Sequence, residues 1–113
     1  MGNDANAAAE LLGRVVDAAG LIEYQPAAVV SRTLIKKAAG TVTLFAFDGG
    51  QELSEHTSPF DALVQVLDGE AEVTICGDPL RLGPGQMVIM PADKPHAVKA
   101  PTRFKMLLLL IRS

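Results

Sequence analysis

From residue 26 onward the chain is cut repeatedly by turn-forming residues: Pro26, Asp48-Gly49-Gly50, Asp68-Gly69, Gly77-Asp78 and Gly83-Pro84-Gly85. Between these breaks lie short β-branched and aliphatic runs: Val29 to Ile35, Thr41 to Phe47, Ala62 to Leu67, Glu70 to Cys76, Leu80 to Leu82, Gln86 to Met90, His96 to Lys99 and Phe104 to Ile111. Side chains alternate across a strand, so period-two patterning reads as a sheet with one wet face. Ala71, Val73 and Ile75 alternate with Glu70, Glu72 and Thr74 in that way. Seven or eight short strands, punctuated at roughly 8–12-residue spacing, predict a sandwich or barrel. The unbroken run Leu107 to Ile111 needs cover on both faces.

The first 25 residues read differently. Leu11, Leu12, Val15, Val16 and Ala19 recur at helical spacing, with Asn3 or Asp4 to cap the start and Gly20 to end it. The expectation is a short amphipathic helix over Asp4 to Ala19, shortened if Gly13 weakens it. Residues 1–25 are then helix and linker and 26–113 the barrel, in one domain of 113 residues. The fold class is all-β with a short N-terminal helix.

Composition narrows the partners. Apolar residues make up 49% of the chain, aromatics 4% and charged residues 20%, so the core is aliphatic and some apolar surface is left for an oligomer interface. A homodimer follows, using the Val29 to Ile35 and Leu107 to Ile111 strands. The net charge of −3 offers no basic field to nucleic acid or anionic membranes. The longest apolar stretch, Met106 to Ile111, is far short of the roughly 20 residues that span a bilayer. A single cysteine, Cys76, cannot form an internal disulfide, and with no basic-then-apolar opening the chain suits a reducing cytoplasm. Met87 and Met90, with Phe45, Phe47 and Phe60, read as core filling. No phosphate loop and no nucleophile elbow is present.

Only two histidines occur, and their spacing is informative. His56 follows Gly50 by six positions and precedes Gly69 by thirteen; His96 lies five after Pro91, itself six after Gly85. This pattern resembles the two sequence motifs of the cupin superfamily, in which Gly50, His56 and Gly69 match the first and Gly85, Pro91 and His96 the second. The resemblance implies a double-stranded β-helix, or jelly-roll barrel, with a ligand pocket inside it. In metal-binding cupins three histidines and a glutamate hold iron, manganese, nickel or zinc, and His56 and His96 would be the metal ligands here. Ser58 stands where the second histidine would be, Ala62 where the glutamate would be, Asp93 where the later motif has its second glycine, and Ala100 where it has asparagine. The retained pair thus lacks the anionic member that offsets a dication.

Two functions follow. One is a noncatalytic small-molecule binding barrel whose ligand is oriented by His56 and His96, with Ser58, Ala62 and Gln65 as further lining. The other is a metal-dependent enzyme of the oxygenase or isomerase class with a reduced ligand set. Gln65, the lone polar residue from Ala62 to Leu67, is either a hydrogen-bonded core amide or a pocket ligand. Asp61 should oppose Ala62 unless a bulge at Pro59-Phe60 turns it inward.

Overall fold

The computed structural model describes residues 9–112. Nine strands follow one another: β1 (Val29–Lys37), β2 (Gly40–Phe47), β3 (Glu52–His56), β4 (Asp61–Asp68), β5 (Ala71–Ile75), β6 (Asp78–Leu82), β7 (Met87–Met90), β8 (His96–Lys99) and β9 (Phe104–Ile111). They form a five-stranded sheet in the order β1-β2-β9-β4-β7 and a four-stranded sheet in the order β3-β8-β5-β6. Every pairing is antiparallel. The eight expected strands are present, and β3 is an additional one.

The inward-facing positions of both sheets make one core. Ala62, Val64 and Val66 of β4 meet Ala71 and Val73 of β5, with Leu82, Met90 and Val98 closing the ends. Phe47 and Phe104, both fully buried, stack with their centroids 4.5 Å apart. Burying a side chain of this class contributes about 1.5–3 kcal/mol. Met90 is core as expected, but Met87 is not: it is 55% exposed, because its position on β7 faces outward.

β9 runs down the middle of the larger sheet, which explains its continuous apolar sequence. Met106, Leu108 and Leu110 pack inward, while Leu107 enters a second cluster on the outer face with Ile22, Leu44 and Ala46. That cluster is roofed by the chain before β1. The Lys105 ammonium donates to the Ala19 carbonyl at 2.6 Å and Arg32 donates to that of Leu21 at 3.0 Å. Tyr24 donates its hydroxyl to Asp68 at 2.5 Å and lies under the Arg103 guanidinium, 4.3 Å from its ring centre. Burial, then the bond and the charge of Asp68, push the Tyr24 phenol well above its ordinary range.

A short N-terminal helix is present, with residues 9–11 helical. It ends earlier than the apolar spacing suggests, since Gly13 takes a φ of +70° and residues 14–17 carry no regular structure. A single 3-10 turn at Ala18–Leu21 follows. Leu12 and Val15 are therefore exposed rather than lying along one helical face. The remainder of the expected helix, from Asp4, falls outside the described residues.

Candidate functional site: a histidine pair at one end of the barrel

His56 is the last residue of β3 and His96 the first of β8, and the two are paired directly across the ladder. Three steps from Leu53 to His56 face two steps from Val98 to His96, so β3 carries one extra residue. Without that bulge, Leu53 and His56 would point to opposite faces. With it, both share the face to which Val98 and the 5%-exposed His96 belong, although His56 itself, at the end of its strand, is exposed. The imidazoles meet edge to face, with centroids 4.4 Å apart.

Three backbone connections hold the segment that delivers His96. The Asp93 amide donates to the Ser58 carbonyl at 2.7 Å, the Ala92 amide to the Asp61 carboxylate at 2.9 Å, and the Cys76 amide to the Pro95 carbonyl at 2.9 Å. Asp93 has a φ of +66°. Glycine is the residue of least cost there, and aspartate among the better-tolerated substitutes. The change from the motif's glycine therefore leaves the turn intact. On the far side, Ile75 pairs with His96 and leads into the two-residue turn Cys76-Gly77, both with positive φ, that starts β6.

Both rings are held in the same way. Nδ1 of His56 lies 2.8 Å from the Ser54 carbonyl oxygen, and Nδ1 of His96 lies 3.2 Å from that of Lys94. A carbonyl oxygen only accepts, so Nδ1 carries a proton in each ring, and in the neutral form of the ring Nε2 keeps its lone pair. Burial pushes the His96 imidazole below its ordinary pKa, the Lys94 carbonyl opposes that shift, and the charge of His56 adds to it.

Of the other expected lining residues, Gln65 is turned away from this pair. Ser58 lies in the loop after β3, where its hydroxyl accepts from the Phe60 amide at 3.2 Å. Ala62 does face inward, 2% exposed, but it offers only a methyl group between its partners Met90 and Leu110. Gln65 points the other way. It lies three residues from Ala62 on the same strand, so the pleat places it on the outer face, and its amide donates to the Gly85 carbonyl at 3.4 Å. Asp61 opposes Ala62 as expected and serves the site indirectly, through Ala92.

The donor set does not suit a resident divalent ion. Among the described residues no group of three His, Cys, Asp or Glu side chains converges. Two imidazoles supply no negative charge to offset a dication. The middle of the barrel is filled by Phe47, Phe104, Val64, Val66 and Val73, so the histidines mark one end of the barrel and not a central chamber. Among the described residues, three of the clefts open elsewhere, with neither histidine in their lining. One of about 210 Å³ lies over the charged outer row Glu52, Lys99, Glu72 and Arg81. One of about 390 Å³ runs between β6 and β7, and an apolar one of about 340 Å³ is lined by Leu63, Ile89, Pro91, Leu109 and Ile111.

Comparison with known proteins agrees with this architecture. The model of the Cupin domain family matches residues 43–112. A conserved protein of unknown function from Streptococcus pyogenes is 38% identical, with 89% of each chain covered and a TM-score of 0.85. A cupin superfamily protein from Desulfitobacterium hafniense is 33% identical over 89% of this chain and 93% of its own, also with a TM-score of 0.85. A cupin 2 conserved barrel domain protein from Leptotrichia buccalis is 40% identical over 83% of this chain and 46% of its own, with a TM-score of 0.81. No curated protein matches significantly.

Proposed function

This chain belongs to the cupin domain family, and from that premise we propose that it binds a small molecule at the end of its barrel through His56 and His96, without a resident metal ion. The observation that carries the reading is the bulge in β3, which sets an exposed and a buried imidazole face to edge across the ladder, with neither Nε2 hydrogen-bonded among the described residues. A buried polar side chain kept at the end of an apolar core costs stability unless it has a partner. His96 meets that need at Nδ1 through the Lys94 carbonyl, and a bound ligand would take up Nε2.

Native mass spectrometry and metal analysis of protein purified without chelator test this. The expected result is a co-purifying small molecule, lost in His96→Phe, with well under one equivalent of metal. Stoichiometric metal would overturn the reading and favour the oxygenase or isomerase alternative.

The same premise extends to assembly: the protein is a homodimer formed through the outer face of the larger sheet. One row of residues crosses all five strands there, Ile35 to Val42, Leu109, Leu63 and Ile89 in order of pairing. All five are aliphatic, and Ile35 and Ile89 are about half exposed, as is the neighbouring Ile111. A stable interface would bury more than about 1,000 Å² in total. Sedimentation as monomer alone at micromolar concentration would refute the dimer. The exposed Cys76 thiol fits a reducing compartment such as the cytoplasm.

A further inference from the structure

We infer that the histidine pair selects a neutral, hydroxyl-bearing ligand, a diol above all, and rejects the matching carboxylate. This names the ligand class of the site proposed above and rests on that reading.

The argument begins with which atoms are already used. Each ring spends its one N–H on a backbone carbonyl two residues earlier in the chain, Ser54 for His56 and Lys94 for His96. The open atom of each ring is Nε2, and in that tautomer Nε2 can only accept. The rings cannot satisfy each other. Two acceptors have no hydrogen to share, and the interplanar angle of 69° puts an edge against a face. The pair therefore presents two lone pairs and no donor.

A carboxylate brought to such a pair sets oxygen lone pairs against nitrogen lone pairs. A hydroxyl brings the missing hydrogen, and two adjacent hydroxyls bring one for each ring. His96 is 5% exposed, so a ligand that cannot donate to its Nε2 leaves a buried acceptor desolvated and unpaired, while the exposed His56 adds a second acceptor at the rim. The surroundings suit the rest of such a molecule: Ile75 sits beside His96 across the ladder, and Leu53 and Val98 lie one step further in.

A matched pair of probes isolates the chemistry. 1-Phenylethane-1,2-diol and mandelate share a phenyl ring and one hydroxyl, and differ in a terminal hydroxymethyl against a carboxylate. The first measurement is the nitrogen-15 spectrum of the imidazoles at a pH of about 8, where an ordinary imidazole is neutral. The second is titration with each probe, followed at the ring resonances of both histidines. The expected result is protonated Nδ1 in both rings and a diol dissociation constant at least about tenfold below that of mandelate, a preference that His56→Phe and His96→Phe abolish. An Nε2–H tautomer in either ring, or mandelate binding as tightly as the diol, would overturn the ligand class while leaving the binding site standing. If neither probe moves either ring, the binding site itself is overturned.

Discussion

Lowering the pH from about 7.5 to about 5.5 destabilises this fold through His96, and His96→Phe removes most of that loss. The imidazole is 5% exposed, and burial holds its pKa below the ordinary value of roughly 6.5 that it regains on unfolding. Between the two values the unfolded chain carries a proton that the folded chain does not. Stability is therefore fully present above the unfolded value, falls as the pH drops through it, and levels off below the folded value. One proton taken up only by the unfolded state sets a limiting slope of about 1.4 kcal/mol per pH unit. The Lys94 carbonyl moderates the shift without reversing it. Phenylalanine keeps a planar ring of somewhat larger volume, cannot titrate, and exchanges one hydrogen bond worth about 1 kcal/mol for apolar burial of similar size. Urea denaturation of both proteins at closely spaced pH values gives the two slopes. Acid titration of carboxylates elsewhere is common to both chains and cancels in the difference. Equal slopes would show that His96 is freely protonated in the native state and would refute the burial argument.

Three further outcomes rest on separate features. Gly69→Ala should cost at least about 3 kcal/mol by chemical denaturation, because an added Cβ would stand 2.1 Å from the Arg103 carbonyl oxygen at a φ of +72°. Asp61→Ala should loosen the 91–95 segment and broaden the ring resonances of His96, with a stability cost of about 0.5–1.5 kcal/mol, whereas Asp61→Asn keeps an acceptor for the Ala92 amide and should change neither. Leu63→Asp, at the centre of the aliphatic row, should shift the sedimentation coefficient to that of a folded monomer; a dimer unchanged by it would move the interface elsewhere.

The sequence made most strands legible because their alternation is regular. Ala62, Val64 and Val66 point inward and Leu63, Gln65 and Leu67 outward, a plain period of two. The same parity separates Ala62 from Gln65, since residues three apart on a regular strand cannot line one pocket. The extra strand β3 was hidden for the opposite reason. Its bulge breaks the alternation, and Glu52, Ser54 and Glu55 are all exposed, so nothing but Leu53 marks it as sheet. The N-terminal helix was overextended because apolar spacing records periodicity and carries no information on the positive φ adopted at Gly13. The histidine pair was legible only as two motif positions forty residues apart. Its tautomers depend on carbonyl directions set by β3 and by the Pro91–Pro95 loop, and no residue type encodes those.

Restoring the absent ligands is the sharpest test of how this site differs from a metal-binding cupin. Ser58→His with Ala62→Glu would add an imidazole and a carboxylate to the existing pair. The two changes are not equivalent. Position 62 faces the core on β4 and is almost fully buried, so a glutamate there has a fixed direction and, without a metal, an unpaired charge costing several kcal/mol in about the manner of other buried carboxylates. Position 58 lies in a loop, and its substitution also removes the hydroxyl that accepts from the Phe60 amide. The double variant should accordingly be less stable than the parent, and a divalent ion should restore that loss, since a ligand that binds only the native state stabilises it by mass action. Affinity for zinc or nickel should rise at least about a hundredfold, or roughly 2.8 kcal/mol. Ala62→Glu alone should give the larger share, because it supplies the only negative charge. Calorimetric titration and thermal melts with and without zinc read the two effects independently. A folded double variant that binds no more tightly than the parent, and whose melting point ignores the metal, would mean that Ala62 does not look toward the His56–His96 pair.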